Sequence, residues 1–178
     1  MSDEARGNRR IDRITAPGFA DGLADLSLDE LRARRDDCLA EREYLSLLRR
    51  LLQGRAEILQ AEIDARGSGE DRAPLVERLT AVLSGDEHPV TSRGEVVRVA
   101  IPEEELLLAR RRVERLAGDA GISDPAALDD DELESAVDAL ATEEHTVSES
   151  RHDVIVVLDA LQDELKRRFK DDPSLALS

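Results

Sequence analysis

Residues 42–57 read REYLSLLRRLLQGRAE and lie inside a long segment that is rich in leucine. Polar residues follow one another here at steps of four, three, four and four: Arg42, Ser46, Arg49, Gln53 and Glu57. These steps place all five on one face of an α-helix. The leucines between them recur at helical spacing, which predicts an apolar seam against partner helices. We call the five polar residues the first stripe.

The helix that carries the first stripe has clear start and stop signals. Ser27 and Glu30 have the spacing of a capping box, with Ser27 as the N-cap residue. Glycines at positions 67 and 69 predict the end of the helix. We therefore expect a helix over residues 28–66.

A second long helix is predicted after Leu128, running to about Asp171 ahead of Pro173. It repeats the first long helix without a gap at an offset of 102 (128 − 26). The matched pairs are Ser46 and Ser148, Arg49 and Arg151, Glu57 and Asp159, Leu59 and Leu161, Gln60 and Gln162, Glu62 and Glu164, and Arg66 and Arg168. An ungapped register that also aligns the helix starts favours an internal duplication. The second stripe is Glu144, Ser148, Arg151, Ile155 and Asp159.

The rest of the chain predicts short elements and tails. Residues 1–25 carry charge, glycine and proline without an apolar period and predict a disordered tail. Pro74 and Pro102 each open a short helical segment, with a brief extended stretch over residues 96–101 between them. We expect an all-α domain over residues 26–171, with residues 172–178 as a tail. Its two long helices, 26–66 and 128–171, form a coiled-coil hairpin, preferably antiparallel, with two short connecting helices.

Composition narrows the classes of function. The 178 residues suffice for one domain, and 41 acidic against 25 basic residues give a net charge of −16, which disfavours binding to nucleic acid. No apolar run approaches the ~20 residues that span a bilayer, and the N-terminus lacks the pattern of a signal peptide. We therefore expect a cytoplasmic protein that does not associate with a membrane. Cys38 is the sole cysteine, which excludes an intramolecular disulfide. Motifs for catalysis or metal binding are absent from the sequence, so we expect no enzyme and no metal.

Arg49 and Arg151 lack a carboxylate three or four residues away on their own helix. A structural explanation is an ion pair between helices, for example Arg49 with Asp159, or simple exposure to water. A functional explanation is an anionic ligand. Arginine presents a planar fork of donors to phosphate or to the O6/N7 edge of guanine, and carboxylates can accept from the N1–H and N2–H groups of guanine. Stripes that mix arginine, serine and carboxylate thus suit a guanine nucleotide, and we expect the two stripes to form one ligand site.

The stripes resemble the signature of the RsiG-type anti-sigma factors of actinobacteria, which is Glu, Ser, Arg, Gln and Asp at the same steps on two helices. Serine and arginine stand in both copies here, and an acid closes both. This chain departs from the signature at Arg42 in place of the leading acid, at Ile155 in place of the amide, and at Glu57 in place of Asp. The resemblance covers most of residues 26–168.

The resemblance implies a switch that binds cyclic di-GMP and sequesters a sigma factor of the flagellar type, WhiG in the developmental system. Sigma held in this way cannot engage polymerase, so late sporulation genes stay silent during aerial mycelium development. The implied ligand residues are Arg42, Ser46, Arg49, Gln53, Glu57, Glu144, Ser148, Arg151 and Asp159. The acidic surface would complement the basic DNA-binding regions of sigma. The alternative is a coiled-coil adaptor or structural protein without a small ligand.

Overall fold

The computed structural model describes residues 9–68, 101–119 and 125–176. Four α-helices are found there: α1, Arg10–Ile14; α2, Leu28–Ser68; α3, Glu103–Asp119; and α4, Asp130–Asp171. Short 3-10 turns cover Leu23–Asp25, Pro125–Ala127 and Pro173–Ala176. No strand occurs in these ranges, so the predicted all-α class is confirmed. The predicted short helix from Pro74, and the extended stretch except for Ile101, lie outside the described residues.

Both long helices begin in capping boxes. The Ser27 backbone N–H donates to Glu30 Oε2 at 2.8 Å, and the Glu30 backbone N–H donates to Ser27 Oγ at 3.2 Å. At the start of α4, Asp129 and Glu132 exchange the same pair of bonds at 2.9 and 2.8 Å. Each box satisfies two backbone donors that a helix start otherwise leaves without partners. The predicted starts are confirmed, and the hydrogen bonds from Ser27 lower the pKa of Glu30.

Contacts divide the chain into two compact units, and each unit contains a part of α2 and a part of α4. Unit 1 comprises Met1–Ser46 and Val147–Ser178, and unit 2 comprises Leu47–Thr146. In unit 1 the start of α2 lies beside the end of α4, and in unit 2 the end of α2 lies beside the start of α4. The two long helices therefore run antiparallel within each unit.

Each unit has its own apolar core. In unit 1 the buried side chains are Ile14, Leu31, Cys38, Leu45, Val147, Val154, Leu158, Leu161 and Leu165. In unit 2 they are Leu48, Leu52, Leu59, Ala109, Val113, Leu133, Ala136 and Leu140. Burying one such leucine contributes about 1.5–3 kcal/mol. The predicted seam of α2 thus supplies core residues to both units, while its polar stripe stays partly exposed.

Residues 9–25 are not the disordered tail that we expected. Helix α1 buries Ile14 to 1% exposure, and Arg10 Nε donates to Glu41 Oε2 at 2.7 Å. An apolar anchor and a part-buried ion pair fix this segment against α2. The prediction failed because the segment is too short to display a helical period.

The C-terminal residues 172–176 also depart from the predicted tail. They form the turn Pro173–Ala176, and Arg32 Nη2 on α2 donates to the carbonyl oxygen of Leu175 at 2.9 Å. The serine at position 174 also donates its backbone N–H to Asp172 Oδ1 at 3.0 Å. The bond from Arg32 attaches the segment to α2, and the bond between Ser174 and Asp172 lies within the segment.

The end of α2 holds the start of α4 through one arginine. Arg66 Nε donates to Glu62 on its own helix at 3.1 Å. Its terminal nitrogens bind Asp130 and three carbonyl oxygens of the preceding turn, those of Pro125, Ala126 and Leu128, at 2.8–3.5 Å. Because a guanidinium carries five donors in a fixed plane, one side chain can fasten both helix ends in unit 2.

The same arrangement recurs in unit 1 at the predicted offset. Arg168 Nε donates to Glu164 at 2.8 Å, and its Nη2 donates to the carbonyl oxygens of Leu23 and Ala24 at 2.8 and 3.0 Å. Arg168 corresponds to Arg66 at the offset of 102. Their carbonyl partners correspond at the same offset, Leu23 to Pro125 and Ala24 to Ala126 (125 − 23 and 126 − 24). The two units therefore repeat a local contact in three dimensions, which supports the duplication inferred from the sequence.

The repeat reaches further upstream than the sequence alignment of the long helices. Residues 10–14 read RIDRI and residues 112–116 read RVERL, again 102 positions apart. In unit 2, Arg112 Nε donates to Glu143 Oε1 at 2.9 Å, which matches the bond of Arg10 to Glu41 in unit 1. The helix α1 is thus the counterpart of the second half of α3.

Acid should weaken unit 1 through Glu164. Hydrogen bonds from Arg167 and Arg168 lower the pKa of this carboxyl from 4.5 to about 2. A carboxyl with a lowered folded-state pKa stabilises the fold above its unfolded pKa, and this contribution is lost as the pH falls through the folded value. We expect Glu164→Gln to lower the urea midpoint at pH 7, and the deficit to shrink between about pH 4.5 and 2.

The control for this prediction is Asp163→Asn, because Asp163 is 74% exposed and pairs only with an exposed lysine, Lys166, at the surface. Surface pairs of this kind contribute little. A Glu164→Gln deficit that is the same at pH 7 and at pH 2 would contradict the assigned role of the carboxylate.

Candidate ligand-binding site

The unit 2 part of the stripes is Arg49, Gln53, Glu57 and Glu144. Arg49 Nε on α2 donates to Glu144 Oε1 on α4 at 2.6 Å, and Gln53 Nε2 donates to the same oxygen at 3.1 Å. The side chains of Arg49 and Glu144 are 43% and 24% exposed. The arginine charge is therefore matched by a carboxylate from the other helix.

The unit 1 part of the stripes is Arg42, Ser46, Ser148, Arg151, Ile155 and Asp159. Arg151 Nε on α4 donates to Ser46 Oγ on α2 at 2.9 Å. The Ser46 hydroxyl in turn donates to the carbonyl oxygen of Arg42 at 2.7 Å. Arg42 itself pairs with its neighbour Glu43 at 2.8 Å. Within the described ranges, Arg151 has no carboxylate within ion-pair distance.

Two corresponding arginines thus meet different partners. Glu144, which receives the bond from Arg49, corresponds to Arg42 in the first copy (144 − 102). The second copy therefore supplies a carboxylate where the first copy supplies a second cation. As a result, the unit 2 residues form a neutral pair with an amide, whereas the unit 1 residues include an arginine bound to a hydroxyl.

Ser46 has a role that its residue type alone did not indicate. A serine hydroxyl can donate to a phosphate, but the single Ser46 proton is used on the Arg42 carbonyl oxygen. Its oxygen accepts a hydrogen bond from Arg151 Nε. Because the guanidinium is planar, this bond also sets the direction of its two terminal nitrogens. In this structure Ser46 positions an arginine.

The remaining stripe residues differ in exposure. Ser148 and Ile155 are half-buried, whereas Glu57 and Asp159 are exposed. In the described part of the chain, Glu57 and Asp159 make no hydrogen bond or ion pair. The suggested pair of Arg49 with Asp159 is wrong, because the carboxylate partner of Arg49 is Glu144. The more general alternative, an ion pair between helices, is correct for Arg49.

The stripes lie next to the apolar seams, which affects the strength of their interactions. Leu45, Leu48 and Leu52 on α2 are buried to 3% exposure or less, and Val147 and Val154 on α4 to 1% or less. Hydrogen bonds and ion pairs at the edge of such a seam are screened less than pairs in open water. The half-exposed stripe side chains can still be reached from solvent.

Residues 9–68, 101–119 and 125–176 offer few other candidate sites. These ranges contain no group of three histidine, cysteine or acidic residues that could hold a metal ion. None of their helices has the length and apolar character needed to cross a membrane. The stripes therefore remain the strongest candidate site in this part of the chain.

Within each unit the antiparallel α2 and α4 bring residues of the two polar stripes into contact. Residues 17–83 match the model of the RsiG-like family. The resemblance inferred from the stripes is thereby confirmed over a segment that contains the whole first stripe. No curated protein matches the chain.

Proposed function

We propose that this chain is an anti-sigma factor that binds cyclic di-GMP through its stripe residues and sequesters a WhiG or flagellar-type sigma factor. The observation that carries the proposal is the meeting of the two stripes within each unit. Ser46 lies 2.9 Å from Arg151, and Gln53 lies 3.1 Å from Glu144. The RsiG-like match over residues 17–83 supports the regulatory class.

The groups present suit the chemistry of a cyclic dinucleotide. The guanidinium of Arg151 offers terminal donors to a phosphate or to the O6/N7 edge of guanine. Glu144, Glu57 and Asp159 can accept from the N1–H and N2–H groups of guanine. The amide of Gln53 both donates and accepts. Each unit contributes an arginine and a carboxylate, Arg49 and Glu144 in unit 2 and Arg151 and Asp159 in unit 1, whereas the amide is contributed by unit 2.

The ligand would act as a switch by linkage. A molecule that binds the complex of anti-sigma factor and sigma more tightly than it binds either protein alone stabilises that complex by the difference. Falling ligand concentration then releases sigma. The net charge of −16 would speed association with the basic DNA-binding regions of a sigma factor. This mechanism does not require catalysis or a metal.

One observation favours a second candidate, a helical adaptor without a small ligand. Arg49 already has a carboxylate partner at 2.6 Å, as expected of a structural ion pair between helices. In an adaptor, the stripes would only fix the register of α2 against α4. Ligand titration distinguishes the two candidates.

We expect isothermal titration calorimetry to detect cyclic di-GMP binding, with higher affinity when a WhiG-type sigma factor is present. Arg49→Ala and Arg151→Ala should each weaken ligand-dependent complex formation at least tenfold. The reason is that a hydrogen bond to a charged group contributes about 1.5–3 kcal/mol, and 1.4 kcal/mol corresponds to tenfold in affinity.

Arg50→Ala is the matched control, because Arg50 is the exposed neighbour of Arg49 and lies off the stripe. It should bind like the wild-type chain, and all three variants should keep their helical circular dichroism. Absence of heat with cyclic di-GMP, both with and without sigma, would favour the adaptor. Unfolding of the two stripe variants alone would indicate a structural role.

A further inference from the structure

We propose that the stripe residues of the two units contribute unequally, and that Arg42 makes the unit 1 residues the subsite for a phosphate of the ligand. This inference rests on the proposed function and deepens it. It starts from a difference between corresponding arginines: Arg49 is paired with Glu144 at 2.6 Å, whereas Arg151 is bound to the Ser46 hydroxyl.

The sequence explains the difference. Arg49 and Arg151 correspond at the offset of 102, and so do Arg42 and Glu144 (144 − 102). In a pair of antiparallel helices, two residues face each other when their residue numbers add up to the same total. The numbers of Arg49 and Glu144 add up to the same total as those of Arg42 and Arg151 (49 + 144 = 42 + 151). Position 42 on α2 thus faces Arg151 on α4 in the same way that Glu144 on α4 faces Arg49 on α2. A carboxylate at position 42 would neutralise Arg151, and the arginine found there does not.

Three features suit the unit 1 residues to a phosphate. Arg151 is half-buried and keeps its terminal nitrogens for a ligand, since Ser46 takes only Nε. The Ser46 bond fixes the plane of the guanidinium in advance, which reduces the entropy lost on binding. Arg42 adds positive charge, and its own partner is the adjacent Glu43 rather than a group on α4. Guanidinium groups bind phosphate oxygens through two parallel hydrogen bonds.

The unit 2 residues suit the guanine edge better than a phosphate. The Glu144 carboxylate would repel a phosphate, but it can accept from guanine N1–H and N2–H. Arg49 and Gln53 hold that carboxylate from one side, at 2.6 and 3.1 Å to the same oxygen. In the arrangement we propose, the stripe residues of unit 1 thus favour an anionic group, and those of unit 2 favour hydrogen-bond donors.

The test is a charge swap at position 42, measured by calorimetry with cyclic di-GMP on the full chain, with and without a WhiG-type sigma factor. We expect Arg42→Glu to lower the affinity at least tenfold, because the new carboxylate pairs with Arg151. Arg42→Gln removes the charge without adding an acid and should cost threefold or less. In an Arg151→Gln background, Arg42→Glu should add little further loss.

Arg50→Glu is the matched control, since it makes the same change of charge at an exposed position off the stripe. An equal loss in Arg50→Glu and Arg42→Glu would show a general charge effect and overturn the subsite. Wild-type affinity in Arg42→Glu would also overturn it while leaving the proposed function intact. A wild-type chain that does not bind cyclic di-GMP under either condition overturns both proposals.

Discussion

We expect Cys38 in the folded protein to react with a thiol reagent about a thousandfold more slowly than in the unfolded chain. Its side chain is fully buried in unit 1, at 0% exposure. Burial, reinforced by the nearby negative charges of Asp37 and Glu41, raises the pKa of the thiol from 9.0 to about 12. The thiolate is the reactive form, so three pKa units reduce its fraction at pH 8 by roughly 10³.

The measurement is the rate of reaction with a disulfide reagent at pH 8, in buffer and in urea above the unfolding transition. Because Cys38 is the sole cysteine, the signal has one source, and a Cys38→Ala chain gives the blank. A native rate within tenfold of the unfolded rate would contradict the burial of this thiol. Slow labelling that accelerates with moderate urea would report the opening of unit 1.

The second large effect concerns the core. We expect Leu158→Ala to destabilise the chain by about 2–5 kcal/mol, the range for removing a buried leucine side chain. Leu158 is 2% exposed on α4 and lies among the buried side chains of unit 1. For a chain of this size, such a loss lowers the melting temperature by roughly 5–15 °C.

The control is Val156→Ala, two residues earlier on the same helix, where the valine is 55% exposed. This change should shift stability by no more than about 0.5 kcal/mol. Thermal and urea unfolding followed by circular dichroism would measure both variants. Equal effects at positions 156 and 158 would mean that α4 does not present this face to the core.

The long helices could be predicted because their signals are local. Capping boxes depend on residues three apart; the predicted box at Ser27 forms, and a second one forms at Asp129. Apolar spacing and glycine stop signals act over one or two turns. The offset of 102 also needed only comparison of the sequence with itself, and the twin contacts of Arg66 and Arg168 agree with it.

The role of α1 was missed although a usable signal was present. A five-residue helix shows no period of its own, so local patterns predict a tail for residues 1–25. Extending the same offset upstream would have matched RIDRI to RVERL, a segment with clear helical character within α3. Internal repetition was the stronger guide here, because it transfers structural information from a long element to a short one.

The partners of the stripe arginines depended on register, which local patterns do not fix. The sequence showed that neither arginine has a carboxylate on its own helix, and it left an ion pair between helices open. Choosing Glu144 over Asp159 for Arg49 required the antiparallel alignment of α2 and α4 within unit 2. Likewise, the use of the Ser46 proton on a backbone carbonyl follows from geometry that residue type cannot supply.

The make-up of unit 1 has a consequence for synthesis of the chain. This unit joins Met1–Ser46 to Val147–Ser178, so its contacts connect residues more than 100 positions apart, as with Arg168 and Leu23. During synthesis, the start of α2 therefore cannot pack against the end of α4 until α4 has left the ribosome. Until then the leucines at the start of α2 have no permanent packing partner. A chain whose translation stops before α4 would leave the start of α2 without the helix against which it packs.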